Sequence, residues 1–372
     1  MRLFSADSHV NEPPQTWERV PNEFRDRGPR IVQDPPGLKG LYFIVEGLHP
    51  EPVGITFLAG KDIGGGKIAK EIDEFDWNHW QGPWNSAERL KDMDLDGVEA
   101  EVIYPSMARI LNGLNDAPLQ TASLKAYNDW LHEYCSHAPK RLIALAVLSV
   151  LDIEWSVKEL QRCAKLGFKG VILPSALPDG ESYSLPRFDP LWEAAQEIGL
   201  PVSFHENTAQ GRDRGASARM GNTLLQRFRW RIGAFIEPQI LLVDLIFGLV
   251  LERYPRLQFV FAEYELCWLG IILNMDANVG RMISPSSAKI AMLPSEYIKR
   301  QIHLTFLRDR IGALGTEVFG ADTYMWSSDY PHRVSTWPKS QETAQRVLKG
   351  LPETVQRRLA WENGAKLYGL FL

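Results

Sequence analysis

Short apolar runs recur along the chain and alternate with stretches of helical periodicity. Eight such runs occur, at residues 3–8, 100–104, 142–148, 168–173, 201–205, 259–263, 302–306 and 324–329. Helical patterns lie between them, at 87–94, 121–137, 154–165, 190–198, 240–253 and 265–277. Buried strands that alternate with helices are typical of a parallel sheet, and eight strands predict closure into a barrel. We therefore expect an α/β fold, a (β/α)8 TIM barrel formed by residues 1–372 as a single domain.

The regular spacing breaks once, between the first strand and the helical pattern that begins near Ser86. Residues 18–85 are rich in proline and carry several tryptophans. An insertion after the first strand of a barrel leaves from the face that carries the active site, so we predict a cap segment over the pocket. An irregular surface excursion is the alternative. His79, which lies between Trp77 and Trp80, is a candidate to bind substrate, although packing among these tryptophans is the more common role.

Side chains that commonly bind metals lie at the ends of four predicted strands. They are Asp7, His9 and Glu12 at the first strand, His205 at the fifth, Glu263 at the sixth and Asp329 at the eighth. Residues two apart in a strand share a face, so Asp7 and His9 point the same way, and Glu12 can turn back over the same site. One such residue is usually structural, but four strands ending this way favour a metal site at the barrel mouth. Oxygen and imidazole donors without thiolate suit zinc, manganese, iron or magnesium.

Some residues near these donors are candidates for catalysis or substrate binding. Asp329 can act as a base or an orienting group, His332 can help to move a proton, and Glu263 adds a carboxylate. Arg212 and Arg214 follow the fifth strand and can bind a substrate carboxylate through two hydrogen bonds, although solvated loop charges are the alternative.

Several segments carry a resemblance to a known family, and they are spread over nearly the whole chain. They are DSHVNEP at 7–13, YNDW at 127–130, FKGV at 168–171, FHE at 204–206, SDYPH at 328–332 and ENGAKLY at 362–368. The chain resembles the amidohydrolase-related family, in the branch that contains aminocarboxymuconate semialdehyde decarboxylase and the resorcylate-type decarboxylases. The resemblance implies a metal-dependent barrel enzyme whose ligands include His9, His205 and Asp329, with a further ligand from the first strand. Some members of this family are oxygenases with a dinuclear non-haem centre.

Two positions depart from the family's pattern. The better-studied members carry His-x-His or Glu-x-His on the first strand, whereas this chain has Asp7 and His9, with Glu12 added. They also place a catalytic histidine where this chain has Glu263. The resulting four carboxylates and two imidazoles would suit two ions, because uncompensated carboxylates in a closed pocket repel each other and become protonated. With one ion, Glu12 or Glu263 would instead orient a histidine ligand.

These residues predict a metal-dependent enzyme that hydrolyses or non-oxidatively decarboxylates a small carboxylated substrate. The predicted cofactor is one or two divalent ions of zinc, manganese or iron. One alternative is a dinuclear iron or manganese monooxygenase that hydroxylates a small carboxylate or its thioester. Another is a metal-bearing partner subunit of a hetero-oligomer. The lack of a histidine at position 263 counts against hydrolysis or decarboxylation. The number of donor residues supports the monooxygenase.

Composition limits the partners that we expect. The formal net charge is −5 and no run of like charge occurs, so we expect no nucleic acid partner. The apolar run at 240–251 is interrupted by Asp244 and is short of the roughly 20 residues that cross a bilayer, so we expect no membrane partner. Three scattered cysteines and the absence of a secretory signal at residues 1–7 indicate the cytoplasm. We further expect a homo- or hetero-oligomer.

Overall fold

The computed structural model describes residues 1–61, 67–211, 223–282 and 290–370. The strands of these residues are Phe4–Val10 (β1), Arg30–Gln33 (β2), Leu41–Ile44 (β3), Glu51–Pro52 (β4), Ala100–Pro105 (β5), Leu142–Val147 (β6), Gly170–Leu173 (β7), Val202–His205 (β8), Phe259–Ala262 (β9), Ile302–Phe306 (β10) and Tyr324–Trp326 (β11). Eight of them form one parallel sheet in the order β1-β5-β6-β7-β8-β9-β10-β11. The predicted TIM barrel is confirmed.

Helices surround the sheet. The longer α-helices of the described residues are Ser86–Asp96, Ala117–Ser136, Ile153–Lys165, Asp189–Ile198, Leu224–Ala234, Glu237–Phe247, Gly270–Met282, Pro294–Gln301 and Ser340–Leu348. The shorter ones are Pro14–Trp17, Lys67–Asp73, Val250–Arg253, Arg310–Leu314, Thr316–Phe319, Glu353–Arg357 and Asn363–Leu367. Turns of 3-10 helix lie at Asn22–Phe24, Val53–Thr56, Ala108–Gly113, Pro186–Phe188 and Cys267–Leu269, and a π-helical turn lies at Arg358–Glu362. Among the described residues, no helix combines the length and the apolar character that a membrane crossing requires.

Local sequence explains where several helices begin and end. The side chains of Asn85, Asp116 and Asp152 each accept a hydrogen bond from a backbone N–H in the first turn of the helix that follows. Such caps satisfy N–H groups that have no partner within the helix. Gly97 and Gly199 end two helices with φ values of 71° and 79°, a left-handed conformation that glycine adopts without a steric penalty.

Some element boundaries differ from the sequence prediction. The first strand continues to Val10, beyond the apolar run at 3–8, and it includes His9, as the prediction that Asp7 and His9 share a face requires. The predicted helix at 240–253 is divided between two helices, because Leu249 adopts a φ of 62° after Gly248. The predicted helix at 265–277 begins instead as a 3-10 turn, Cys267–Leu269.

The strands of the barrel are buried, but β1 differs from the others in composition. Every residue of β6, β7 and β9 is buried, and nearly all of them are apolar, as expected for parallel strands covered on both faces. In β1, by contrast, Ser5, Asp7, Ser8 and His9 are also fully buried. Burial of charged groups costs free energy unless partners compensate them. The polar end of β1 therefore marks the site where such partners must converge.

A bulge in β1 changes the direction of its polar side chains. Ser5 pairs with Glu101 and Ser8 pairs with Ile103, so β1 has one more residue than β5 over this interval. Bulges of this kind bend a strand and reorient side chains next to active sites.

The first and last strands of the barrel are joined at its mouth. The backbone N–H of Asp329 donates to the carbonyl of Asp7 at 2.9 Å, and the N–H of His9 donates to the carbonyl of Tyr330 at 2.5 Å. The N–H of Ser328 donates to the Ser5 hydroxyl at 2.9 Å. Hydrogen bonds of the backbone thus hold together residues that are about 320 positions apart in the sequence.

The inserted segment contacts the chain that follows β1 and β11. It contains the antiparallel sheet β2-β3-β4. The N–H groups of Leu58 and Ala59 donate to the carbonyl of Pro331 at 3.2 and 3.0 Å, and the N–H of Asn11 donates to the carbonyl of Pro83 at 2.9 Å. These bonds attach the segment beside the barrel mouth. Its function as a cap stays a prediction.

Candidate metal centre

Donor side chains from four strands meet at the carboxyl ends of the barrel strands. Asp7 and His9 lie in β1, and His205 is the last residue of β8. Glu263 directly follows β9, and Asp329 lies three residues after β11. Glu263 and Asp329 adopt φ values of 65° and 51°. Non-glycine residues in this conformation are uncommon and cluster at functional sites.

The distances between three donor atoms fit one metal ion, and a fourth donor atom lies close to one of them. The Nε2 atom of His9 lies 3.4 Å from Asp7 Oδ1, 3.3 Å from Asp329 Oδ1 and 3.2 Å from His205 Nε2. His205 Nε2 also lies 3.5 Å from Asp7 Oδ1. Donors held about 2.1 Å from one ion are separated by roughly 3.0 to 3.4 Å, depending on the coordination geometry. Asp7, His9 and His205 therefore have the spacing of ligands around a shared centre, and Asp329 lies beside the same nitrogen of His9.

Both histidine rings are oriented by hydrogen bonds on the side away from the donor cluster. Nδ1 of His9 lies 3.0 Å from the carbonyl of Pro105, and Nδ1 of His205 lies 2.8 Å from the carbonyl of Glu206. A carbonyl only accepts, so each Nδ1 carries the hydrogen and each Nε2 presents its lone pair to the cluster. Metal-binding histidines are commonly fixed in this way.

The carboxylates of Asp7 and Asp329 have the environment that a bound cation would complete. Both side chains are fully buried, and neither oxygen of either group accepts a hydrogen bond from the described residues. A buried carboxylate without compensation is strongly unfavourable. The donor set is oxygen and imidazole only, which suits manganese, zinc or iron. These residues therefore fit a divalent ion.

The pKa values of the metal-free site reflect the same charge imbalance. Burial alone would raise the pKa of Asp7, but His205 and His9 hold it well below its usual range. Burial opposes protonation of His9, but Asp329 and Asp7 raise the pKa of the ring to about 9. Burial, and then Asp329, Glu206 and Asp7, raise the pKa of Glu263 well above its usual value. In the absence of an ion, protons thus supply part of the missing positive charge.

Glu263 lies at the edge of the donor cluster. Its Oε2 atom is 3.5 Å from His205 Nε2, and its side chain is slightly exposed. Among the described residues, the compact donor groups are Asp7, His9 and His205, and His9, Asp329 and His332, with ligand atoms within 4.8 Å of one another. Glu263 belongs to neither group. It faces the cluster from one side.

Glu12 is directed away from the donor cluster. Its two carboxylate oxygens accept hydrogen bonds from the backbone N–H groups of Met107 and Ala108, at 2.8 and 3.0 Å. These N–H groups belong to the start of the 3-10 turn that follows β5. The structure does not bring Glu12 together with Asp7, His9 and His205 as a ligand. Its contacts are those of a group that fixes the loop after β5.

His332 connects Asp329 to a serine that the sequence reasoning missed. Nδ1 of His332 contacts Asp329 Oδ1 at 2.9 Å, without the alignment of a hydrogen bond, and Nε2 lies 3.1 Å from the hydroxyl of Ser106. Burial and the nearby His9 ring lower the pKa of His332 to about 4, so the ring is neutral at neutral pH. Ser106 directly follows β5. Its position after a barrel strand is the signal that could have identified it.

The predicted substrate-binding residues do not join this cluster in the described structure. His79 is exposed, and no contact of the described residues brings its ring to the donors. Arg212 and Arg214 lie outside the described residues. A different arginine, Arg231, reaches the buried Glu206 through its Nη1 atom at 3.0 Å. It comes from the helix Leu224–Ala234, and nothing in its local sequence distinguishes it from neighbouring arginines.

A buried ion pair that the sequence reasoning also missed supports β1. Arg89 donates through Nε to Glu101 at 2.6 Å and through Nη1 to the backbone carbonyl of His9 at 2.8 Å. Its guanidinium lies 4.0 Å from the centre of the Tyr330 ring. Arg89 therefore contacts β1 and the loop after β11, the two segments that carry the candidate ligands from the chain ends.

Comparison with known proteins agrees with this geometry. A family model described as Amidohydrolase matches residues 6–370. The chain belongs to the amidohydrolase family. The resemblance inferred from the sequence motifs is thereby confirmed.

The relatives of this amidohydrolase include decarboxylases. A 2-amino-3-carboxymuconate-6-semialdehyde decarboxylase of Dictyostelium discoideum is 29% identical over 200 residues, which cover 53% of this chain and 51% of the relative. The chain thus spans about half the length of that relative. A gamma-resorcylate decarboxylase of Rhizobium sp. (strain MTP-10005) is 23% identical over 295 residues, which cover 74% of this chain and 87% of the relative.

Solved structures share the barrel. An amidohydrolase from Mycobacterium avium subsp. paratuberculosis K-10 has a TM-score of 0.78 and 21% identity over 99% of both chains. A 5-carboxyvanillate decarboxylase from Novosphingobium aromaticivorans DSM 12444, complexed with manganese and 4-hydroxy-3-methoxy-5-nitrobenzoic acid, has a TM-score of 0.66 and 17% identity over 99% of this chain and 96% of that chain. At these identities the likeness shows the fold.

Proposed function

We propose that this protein is a metal-dependent carboxy-lyase that removes CO2, without an oxidant, from a small carboxylated aromatic compound. The observation that carries the proposal is the pair of buried carboxylates, Asp7 and Asp329, which face imidazole nitrogens and accept no hydrogen bond from the described residues. The activities named for the two relatives above favour decarboxylation over hydrolysis.

The proposed cofactor is one divalent ion, with manganese as the first choice. Asp7, His9, His205 and Asp329 would hold it. The two compact donor groups have His9 in common, its Nε2 atom lies 3.4 Å from Asp7 Oδ1 and 3.3 Å from Asp329 Oδ1, and one lone pair binds one ion. This favours one ion over the dinuclear centre of an oxygenase. When bound, the ion would supply Lewis acidity that orients and polarises oxygen atoms of the substrate.

The protein's own residues would supply the proton that replaces CO2. In the proposed reaction, the bond between the ring carbon and the carboxyl carbon breaks, and its electron pair stays on the ring carbon, which takes up a proton. Asp329, His332 and Ser106 form a line of contacts that can hold and return this proton. Glu263, whose Oε2 atom lies 3.5 Å from His205 Nε2, would complete the acid-base set.

The inserted segment 18–85 would exclude water from the reaction as a cap. Its bonds to Pro331 place it beside Asp329 and His332, the residues of the proposed proton path. Exclusion of water strengthens electrostatic interactions within a site and prevents side reactions. Arg212 and Arg214 stay predicted carboxylate ligands of the substrate.

The reaction itself tests this proposal. The manganese-loaded protein would be incubated, with and without oxygen, with 2,6-dihydroxybenzoate and 5-carboxyvanillate as probe substrates, and CO2 and the aromatic product would be measured. We expect stoichiometric CO2 release that does not depend on oxygen and stops when a chelator removes the metal. Turnover that consumes oxygen, or CO2 release that persists in metal-free protein, would contradict the proposal.

A further inference from the structure

The 3-10 turn that follows β5 carries two polar side chains that lack partners among the described residues. The turn spans Ala108–Gly113. Asn112 is 1% exposed, and neither its amide nitrogen nor its amide oxygen forms a hydrogen bond with the described residues. Arg109 is partly buried, and its guanidinium forms no hydrogen bond or ion pair with them either. Buried polar groups nearly always have a partner, so these two side chains are suited to bind a polar ligand.

The two side chains lie along the same edge of the turn. A 3-10 helix has about three residues per turn, so side chains three positions apart are aligned. Ala108 and Leu111 form one such edge, which is fully buried in the hydrophobic core. Arg109 and Asn112 form the next edge, which we call the polar edge. Their alignment allows both side chains to bind one group.

The turn is fixed at both of its ends. The Glu12 carboxylate accepts hydrogen bonds from two backbone N–H groups at the start of the turn. Toward the end of the turn, the N–H of Gly211 donates to the carbonyl of Asn112 at 2.8 Å, and Nε2 of Gln120 donates to the carbonyl of Leu111 at 2.9 Å. A backbone that is already fixed loses little conformational entropy when a ligand binds.

The polar edge lies on the side of the metal centre where the proposed proton path runs. The hydroxyl of Ser106, which precedes the turn, lies 3.1 Å from Nε2 of His332. Burial and then the His9 ring lower the pKa of His332 to about 4, and the Arg109 guanidinium contributes to this decrease. A charge has such an effect only over a short range. Arg109 therefore lies near the His332 ring.

The donors of the polar edge match a carboxylate. A guanidinium presents its N–H groups in a planar fork that fits both oxygens of a carboxylate. The amide nitrogen of Asn112 adds two N–H groups, and its amide oxygen can accept from a hydroxyl group on the same ligand. The positive charge of Arg109 has no carboxylate partner among the described residues, so it is available to an anionic ligand.

We propose that Arg109 and Asn112 bind a second carboxylate of the substrate, one that stays on the aromatic ring when CO2 leaves. The proposal rests on the carboxy-lyase function proposed above, and it narrows the substrate to an aromatic dicarboxylate. A substrate that is held at both the metal centre and the polar edge cannot rotate freely. The ring carbon that loses CO2 is then kept beside Asp329 and His332, which supply the proton.

Binding of unreactive ligands tests the polar edge. The affinity of the manganese-loaded protein for benzoate would be compared by calorimetry with its affinity for phthalate, isophthalate and terephthalate. These three isomers place a second carboxylate at three distances from the first. We expect at least one of them to bind about 10- to 100-fold more tightly than benzoate, the effect of a charge-assisted hydrogen bond.

Two variants locate this preference in the turn. Arg109→Gln removes the positive charge, and Asn112→Asp keeps the shape of the side chain but places a carboxylate beside Arg109, where it competes with the ligand. Both variants should bind manganese and benzoate as the natural protein does and should lose the preference for the dicarboxylate. The matched control is Arg256→Gln, because Arg256 is exposed and precedes β9 at the opposite face of the barrel. The control should keep the preference.

Three results would overturn the proposal. One is equal affinity of the natural protein for benzoate and all three dicarboxylates. Another is a preference that persists in either variant of the turn. The third is a loss of manganese and of all four ligands by Arg109→Gln, which would show that Arg109 balances the charge of the metal centre and does not select the substrate.

The proposed reaction and the polar edge fail in different ways. A dicarboxylate that binds with the expected preference, in a protein that releases no CO2 from any probe substrate, contradicts the reaction and leaves the polar edge intact. Metal-dependent CO2 release from 2,6-dihydroxybenzoate, in a protein without any preference for dicarboxylates, contradicts only the role of Arg109 and Asn112.

Discussion

At the scale of single residues, the site is defined by carboxylates whose charge the described residues do not balance. Asp7 and Asp329 are fully buried, and the imidazole nitrogens of His9, His205 and His332 lie beside them. Glu263 and Glu206 add negative charge nearby. A divalent ion resolves this imbalance, and protonation of His9 and Glu263 resolves it when the ion is absent.

The variant Glu263→Gln shows whether the Glu263 carboxylate acts in catalysis or binds the metal. Because Glu263 lies outside the compact donor groups, we expect the variant to keep its manganese while kcat falls by about 10²- to 10⁴-fold, the usual contribution of an acid-base group. Metal content by elemental analysis and kcat by CO2 release measure the two effects. Asp7→Asn is the contrasting variant, which should lose both its manganese and its activity. Loss of manganese from Glu263→Gln would show that Glu263 is a ligand.

Because the pKa of His9 is raised, the stability of the metal-free protein depends on pH. The folded-state pKa of about 9 lies above the reference value of 6.5, so this ring stabilises the metal-free protein fully below pH 6.5 and loses that contribution as the pH rises through 9. Metal binding requires the deprotonated ring and therefore strengthens over the same window. The increase in Tm that manganese produces should grow from pH 6.5 to 9. An increase in Tm that is independent of pH would contradict this assignment.

Most of the donor residues could be predicted from the sequence, because the carboxyl ends of the barrel strands all lie at one face. Asp7, His9, His205 and Asp329 come together as that rule predicts. The direction of the Glu12 side chain could not be predicted from the sequence. Its partners are backbone N–H groups of the loop after β5, and the bulge in β1 sets how that loop is aligned with β1. No local pattern in the sequence reports such a register.

At the scale of elements, the buried Arg89 joins β1 to the loop after β11, the two segments that carry Asp7, His9 and Asp329. It pairs with Glu101, bonds to the carbonyl of His9 and packs on Tyr330, next to Asp329. A helical pattern at 87–94 predicted the helix but not the buried ion pair, because arginine on a helix is usually exposed.

The variant Arg89→Met tests whether these contacts of Arg89 stabilise the fold and the metal site. Removal of one partner leaves the Glu101 carboxylate buried without its cation, so we expect the free energy of unfolding to fall by about 3 to 5 kcal/mol. Manganese should also bind more weakly, because the backbone of His9 loses a hydrogen bond. Arg358→Met is the control, since the ion pair of Arg358 with Asp322 is exposed and contributes at most about 1 kcal/mol. Chemical denaturation and manganese titration measure both effects. Equal destabilisation by the two variants would contradict the role of Arg89.

At the scale of the whole molecule, closure of the barrel explains how the two chain ends form one site. The eight parallel strands close into a barrel because the last strand returns to the first, and the backbone hydrogen bonds between Asp7 and Asp329 and between His9 and Tyr330 complete this closure. The count of eight apolar runs that alternate with helical patterns predicted it. The exposed apolar side chains of the helices Leu224–Ala234 and Glu237–Phe247 were not predicted, since periodicity does not distinguish an apolar face packed on the barrel from one that faces outward.

The stoichiometry and location of the metal test the central claim most directly. Metal-free protein would be titrated with manganese by calorimetry, in parallel with Asp7→Asn and His205→Gln. We predict one ion per chain for the natural sequence and binding weakened by at least about 100-fold in each variant. Two ions per chain, or unchanged affinity in both variants, would contradict the account of a single metal centre at the mouth of this barrel.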